Sequence, residues 1–534
     1  MQGANATARP EKHRRELSKG HLLDAAAVIG PGLLAGGLSF YDVGGRSIWL
    51  DESASISIAS QHGAALGAAM AHDGGNMLVY YALIHFLIGA FGNGILALRT
   101  PSAIAAACTV ALVSLIAKRL FNRGIAFASG VISAVSLPLV FWGQDVRAYS
   151  LMVALVAASF LAFVALVDRE LETRPSIWVL CAYILATTLA MYMSFVAVLV
   201  VPAQLLALVC HRRRLRPVAL GLVVSALCCV PLAVLAHERG SGQLFWVPKP
   251  NFSAVNAAVG EVVSSSLQPQ FALTATSYAV LGLSLVLLVA AVLTAGRAIS
   301  RNADGREAFA QVLLIGWLVV PFLLALVESA VGQSIFVPRN LLICLPPVGI
   351  LLARVCLGDA TPGRGYSTRW LLGAILVAGI VVLRALQLVP SYGVSPENWR
   401  GAVAYVTARN EPRDCIAFYP SDGRMAFEYY IDQRSVLLAA APRPVLPPER
   451  WGEVTPYVED YASLSPSGVA RVAAQCPRLF FVTSHNGSLS GPAGSVAQYL
   501  RYRQLRAALE QAFAHHHTAG FGYADPVDVE LLSH

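Results

Sequence analysis

Residues 21–53 read HLLDAAAVIGPGLLAGGLSFYDVGGRSIWLDES, an apolar run followed closely by two adjacent acids, Asp51 and Glu52. A hydrocarbon core about 30 Å thick needs roughly 20 apolar residues per helix, and residues 21–41 meet that length. Arg9, Lys12, Arg14, Arg15 and Lys19 precede the run. Such charge marks the N-terminal segment, residues 1–20, as cytoplasmic. The run is internal and lacks a small-residue cleavage signature near its end, so it reads as an anchor. The segment WLDES (49–53) then falls outside. Carboxylates beside a bilayer are costly unless water, a metal or a substrate meets them. The first outer loop, 42–97, is therefore where the chemistry is expected.

The rest of the chain agrees with a membrane protein. Of 534 residues, 56% are hydrophobic and only 13% are charged, a balance unlike that of soluble domains. Further candidate spans run near 98–117, 124–142, 148–167, 177–193, 194–210, 217–236, 274–296, 310–331, 336–356 and 370–390. The uncharged stretch 177–210 is too long for one helix and suits two, with a tight turn near Met193 and Ser194.

The segment 77–92 (MLVYYALIHFLIGAFG) decides the topology. If it does not cross, the loops at 118–123, 168–176, 211–216, 297–309 and 354–369 are cytoplasmic and hold 15 Lys and Arg. The opposite loops between residues 100 and 340 then hold only Arg147, Arg239, Lys249 and Arg339. Crossing would invert that bias, against the positive-inside rule. So 77–92 is expected to lie along or dip into the outer leaflet. The fold class is a mainly α, polytopic bundle of about eleven spans over residues 21–390, with surface helices in the first outer loop. The formal charge of +8 encodes topology, and a nucleic-acid partner is not expected.

After residue 391 the composition becomes ordinary. CIAFYP (415–420) and RLFFVTS (478–484) read as buried strands, with helical patterns near 398–409, 466–475 and 498–513. Residues 391–534 are thus expected to form a small extracytoplasmic α/β domain that shapes the acceptor entrance. Cys415 and Cys476 each precede a strand, and would meet at one end if those strands are parallel neighbours. Seven other cysteines (108, 181, 210, 228, 229, 344 and 356) fall in or near spans and read as space-filling. His515, His516 and His517 lack a second ligand cluster and read as solvated surface.

WLDES, DGGNMLVYYALIH, ALRTPSAIAA, KRLFNRGIAFASG and WGQDVRAYSL occur in that order. So arranged, they resemble the C-type membrane glycosyltransferases. Within that class they are most similar to bacterial relatives of protein O-mannosyltransferases and lipid A aminoarabinose transferases. The resemblance covers about residues 20–170, then FWVPKP and VPRNLL, and the tail opening PENWRGAVAYV. It implies transfer of a hexose or pentose from a polyprenyl-phosphate donor to an acceptor hydroxyl outside the cytoplasmic membrane. The first-loop aspartate, the catalytic base in the family, maps onto Asp51, with Glu52 beside it, and a second acid maps onto Asp145. Many relatives carry His-Pro-Pro before the surface helix; this chain reads GGNML, which bears on the donor sugar.

That chemistry needs a base for the acceptor hydroxyl and cations for the departing phosphate. Asp51, Glu52 and Asp145 are the catalytic candidates; Lys249, Arg339 and Arg147 are the phosphate candidates. Asn76, Tyr80, Tyr81 and Trp246 are candidate substrate contacts. Each has a plainer reading. Asp51 and Glu52 suit the first turn of a helix, Asp145 suits a loop salt bridge with Arg147, Lys249 and Arg339 suit snorkelling, and the aromatics suit an interfacial belt. His85 reads as a packing residue with one hydrogen bond. No Walker loop or dinucleotide fingerprint occurs, and no cofactor is expected. A cation bridged by Asp51, Glu52 and Asp145 is used by some C-type transferases, though generally not by the nearest relatives. The rival readings are a lipid transporter or flippase, for which no internal repeat is seen, and a non-catalytic envelope-assembly subunit.

Overall fold

The computed structural model describes residues 8–167, 176–209, 215–240, 244, 246–300, 305–358, 368–452, 465–524 and 526–534. Outside them lie Cys210 and, from the loop charge count, Arg169, Arg174, Arg212, Arg213, Arg214, Arg301 and Arg364. Among the described residues six helices are long and apolar enough to cross a membrane, or up to nine if each of three bent pairs is one span. The first is α1 (Ala8–Phe40). Residues 123–143 form one bent pair, broken between Ala134 and Leu137 by 62°. Ile177–Met193 and Phe195–Ala207 are shorter, with the break at Ser194 where the sequence places the turn. All eleven expected segments are therefore helices or bent helix pairs.

In the first outer loop α2 (Leu50–Ala59), α3 (Gly63–His72) and α4 (Leu78–Phe91) follow one another. With 14 residues, α4 is only about 21 Å long at 1.5 Å per residue. That is too short to span a bilayer upright. A turn with positive φ at Gly74 (65°), Gly75 (75°) and Met77 (60°) leads into it. A Cβ on Gly75 would meet Leu235 at 3.0 Å and Leu232 at 3.2 Å, so this turn packs directly on the helix Val230–Arg239.

One buried cation organises the loop. Arg99, in the helix Ile95–Leu120, donates through Nε and Nη2 to both oxygens of Glu52, at 2.8 and 2.7 Å. Its Nη1 donates to the carbonyls of Val43 (2.7 Å) and Arg46 (3.2 Å). Glu52 also accepts from the backbone N–H of Val146 at 2.8 Å. Beside it, buried Arg46 donates to the Phe141 carbonyl and to Gln144, with its guanidinium 4.0 Å from the Phe141 ring centroid. Two bidentate bonds and the extra donors satisfy charges that burial would otherwise penalise heavily.

The last long apolar helix, Thr368–Ser391, leads into a five-stranded sheet of order β2-β1-β3-β5-β4. Its strands are β1 (Cys415–Tyr419), β2 (Arg443–Leu446), β3 (Arg478–Thr483), β4 (His515–Phe521) and β5 (Val527–Ser533). β2, β1 and β3 are parallel, whereas β5 and β4 run antiparallel. The two strands read from the sequence are neighbours, Cys415 opposite Leu479, and Cys415 and Cys476 are joined by a disulfide. The β4–β5 hairpin is absent from the sequence reading. His515, His516 and His517 are exposed along β4, an outer strand, as expected of solvated surface.

Glu52→Ala leaves the Arg99 guanidinium buried without its counter-charge, and should cost about 3–5 kcal/mol. Thermal melts in detergent should show a fall of several degrees, while an exposed control such as Arg471→Ala changes little. The disulfide closes a separation of 61 residues, for which chain entropy gives about 4 kcal/mol. Cys476→Ser should therefore shift the C-terminal domain's denaturant midpoint downward, and non-reducing peptide maps of the unaltered protein should contain the linked pair.

Candidate active site

Since Glu52 is fixed inward, Asp51, about 100° around α2, faces elsewhere. Its side chain keeps 28% exposure, against 1% for Glu52. Oδ2 of Asp51 lies 3.3 Å from Arg339 Nη2 and 3.7 Å from Arg147 Nη2. Arg147 also donates to the Asp51 carbonyl (3.4 Å) and to Ser55 Oγ (3.2 Å). These are charge contacts of long geometry, and Oδ2 of Asp51 has no hydrogen-bond partner. Burial raises the Asp51 pKa, but the Arg339 and Arg147 guanidiniums, helped by His485, outweigh it and hold it below 3.8. Asp51 is thus a carboxylate at neutral pH.

Arg339 stands between two indoles, 5.6 Å from the Trp49 ring and 5.1 Å from that of Trp246. Cation–π attraction holds the guanidinium without using its N–H donors. Trp246 is 39% exposed and so offers a face to the surroundings. Trp49 is fixed from below, its Nε1–H donating to Asp145 at 2.8 Å.

Several expected residues are placed differently. Asp145 is only 3% exposed and is spent on Trp49, and Arg147 pairs with Asp51 instead. Burial and the adjacent Glu52 carboxylate push the Asp145 pKa well above the usual carboxylate range. Glu52, with every oxygen engaged by Arg99 and Val146, organises the loop and does not open to it. Lys249 donates to the carbonyls of Ala330 and Gly332, at the end of the helix Gly305–Val331, instead of turning to Asp51. Tyr80 and Tyr81 are buried; Tyr81 donates to Asp73 at 2.8 Å. Asn76 is half-buried in the turn before α4. His85 makes one bond, to the Ala59 carbonyl, and packs edge-on against His62, as its plainer reading holds. Among the described residues no group of three His, Cys, Asp or Glu side chains is arranged to hold a metal ion.

Three participants were missed in the sequence. Glu261, in the helix Phe252–Val262, accepts from Trp142 Nε1 at 2.8 Å. Burial pushes its pKa up to about 8, although the Trp142 bond and Arg339 act the other way. Glu397 and His485, from the C-terminal domain, meet at 2.7 Å beside α2. A charge within an otherwise apolar stretch, as in NAAVGEVVSS, is the signal for Glu261. Glu397 and His485 leave no local signal.

Residues 75–236 match a family model described as dolichyl-phosphate-mannose-protein mannosyltransferase. No curated protein matches the sequence. Among solved structures, the chain is similar to ArnT from Cupriavidus metallidurans bound to undecaprenyl phosphate. The TM-score is 0.54 at 12% identity, over 95% of this chain and 98% of that one. It is also similar to the archaeal oligosaccharyltransferase AglB from Archaeoglobus fulgidus, in complex with an inhibitory peptide and a dolichol-phosphate. There the TM-score is 0.54 at 12% identity, over 93% of this chain and 72% of that one. The chain thus shares its fold with these membrane proteins, and residues 75–236 carry the match to the mannosyltransferase family model.

Proposed function

We propose that the chain moves a sugar from a polyprenyl-phosphate donor to an acceptor hydroxyl at the outer face of the cytoplasmic membrane, with Asp51 as general base. The N-terminus is cytoplasmic and residues 391–534 lie outside, as the loop charges imply. The observation that carries the reading is the partly exposed Asp51 side chain, its Oδ2 facing Arg147 and Arg339 and making no hydrogen bond. A lipid-phosphate donor is further supported by the undecaprenyl phosphate in the similar ArnT structure and the dolichol-phosphate in AglB.

The steps follow from charge. A donor phosphate is a stronger partner for guanidinium than a single long-range carboxylate, because it offers several charged oxygens at bonding geometry. Its arrival gives Arg339 and Arg147 a second anion to neutralise, which weakens their hold on Asp51, and the carboxylate becomes more basic. Asp51 then takes the proton of the acceptor hydroxyl while that oxygen bonds to the anomeric carbon from the opposite face. The bond from that carbon to the phosphate oxygen breaks, its electron pair stays with the polyprenyl phosphate, and configuration inverts. The two guanidiniums stabilise the charge left behind. Trp246, partly exposed beside Arg339, offers a ring face to the substrate, whereas Lys249, Glu52 and Asp145 hold structure. The mechanism uses the chain's own charges and calls on no cofactor.

Asp51→Asn should lower release of sugar from undecaprenyl-phosphate-linked hexoses and aminopentoses by about 10² or more. Undecaprenyl phosphate should bind as before, since both arginines remain. Full activity in purified Asp51→Asn protein would refute the assignment. Arg339→Gln removes the stronger of the two cations that lower the Asp51 pKa. That pKa should rise, so protonation disables the base at a higher pH. The acid limb of kcat/KM should accordingly move upward, with weaker binding of undecaprenyl phosphate.

A further inference from the structure

The backbone just ahead of Asp51 is held by the C-terminal domain. Ser47 N–H donates to Ser395 Oγ at 2.9 Å, and Ile48 N–H donates to the Tyr430 hydroxyl at 2.8 Å. Arg400 donates to the carbonyls of Gly44 and Gly45, and its own N–H donates to Ser47 Oγ. The last contact falls on α2 itself. Leu50, its first residue, donates its N–H to Glu397 Oε2 at 3.0 Å. Trp49, at the capping position, gives α2 no side-chain cap bond. Glu397 supplies from 347 residues away what Ser, Thr or Asp usually supplies locally.

Glu397 is only 2% exposed, and both its oxygens are engaged. Oε2 accepts also from Trp399 Nε1 at 2.9 Å, and Oε1 meets His485 Nε2 at 2.7 Å. Trp399 is wholly buried, so it fixes Glu397 from the side of its own domain. His485 follows β3, has φ of 53° and a carbonyl bonded to Gln498, and lies near enough to Asp51 to lower its pKa. The PENWR segment (396–400) therefore reaches across from the domain to the helix that carries the base.

We propose that Glu397 is a positioning residue for Asp51, acting through the N–H of Leu50, with His485 and Trp399 fixing its carboxylate. The inference rests on Asp51 being the base. A carboxylate at the amino end of α2 sets where that helix begins, and the next side chain after Leu50 is Asp51. Docking of the C-terminal domain is thereby a condition for catalysis, beyond any part it has in admitting acceptor. Small displacements at a reacting group cost large factors in rate, so the effect belongs in turnover and not in donor affinity.

The test uses the full chain in lipid nanodiscs, with undecaprenyl-phosphate-linked mannose, glucose and aminoarabinose as donors and undecaprenyl phosphate as binding probe. Glu397→Ala should lower kcat roughly 10- to 100-fold, with the Kd for undecaprenyl phosphate within about twofold of the original. Glu397→Gln keeps an oxygen for Leu50 and should recover most of the rate. Hydrogen exchange in a peptide covering 44–52 should quicken in Glu397→Ala and stay slow in Glu397→Gln, while the Cys415–Cys476 disulfide remains intact in both. Unchanged kcat in Glu397→Ala, equal loss in both variants, or a parallel fall in donor affinity would each overturn the proposal. Asp51→Asn run alongside separates the cases: if it stays active, the base assignment fails, and if only Glu397→Ala stays active, the positioning role fails.

Discussion

A guanidinium buried under the first outer loop must have a counter-charge, and Arg99 takes Glu52. From that pairing the site follows. Arg99 gathers the carbonyls of Val43 and Arg46, Glu52 gathers the N–H of Val146, and so one ion pair joins the loop before α2, α2 itself and the loop at 144–148. A helix locked at one residue is locked in rotation. Asp51 is turned away from the interior because Glu52 is turned into it. Adjacent acids of similar intrinsic chemistry are thereby given opposite environments, one fully bonded and the other held only by long charge contacts.

The cations opposite Asp51 are kept in place mainly by other means than Asp51. Arg339 lies between the faces of Trp49 and Trp246, and Arg147 leans on Ser55 and on the Tyr149 ring. Asp145, buried beside Glu52, accepts from the Trp49 indole and holds it from beneath. Under the proposed function, the donors for the phosphate are therefore oriented before any substrate arrives, which is the condition under which fixed charges help catalysis most.

Much of the fold was legible because its signals are local. Runs of about twenty apolar residues mark spans, and the break at Ser194 within the 177–210 stretch follows from length alone. β1 and β3 were readable as short apolar runs, and their parallel pairing brought the two cysteines together. The β4–β5 hairpin was not, since HHHTAGF buries little and resembles loop. Asp51, Arg147, Arg339 and Trp246 could be singled out from the sequence, because charges and indoles at a membrane surface are few, and in the structure they are neighbours. Their partners could not be. Whether Lys249 meets a phosphate or the carbonyls of Ala330 and Gly332 depends on contacts more than 80 residues away. Arg99 stands inside ILALRTPS as a cation in an apolar helix, a signal that the sequence reading passed over. Nothing in PENWR indicates that its glutamate caps a helix some 350 residues upstream.

The turn before α4 is where this chain departs from the His-Pro-Pro run of the relatives it resembles. Gly74 and Gly75 have φ of 65° and 75°. Proline is fixed near −65°, so a chain with proline at either position cannot make this turn. Relatives of the kind resembled here that carry His-Pro-Pro ahead of the surface helix must therefore route the backbone differently. The consequence is not confined to the turn, because Gly75 lets Leu232 and Leu235 approach to about the van der Waals limit and Gly74 lies against Arg239. The same turn sets where α4 begins, and with it the placement of Tyr81 and its partner Asp73. Substitution of the prolines by glycines thus moves a wall while leaving Asp51, Arg147 and Arg339 on other elements. The turn and the cluster of Asp51, Arg147 and Arg339 are thus built on separate elements, so one can vary while the other is kept.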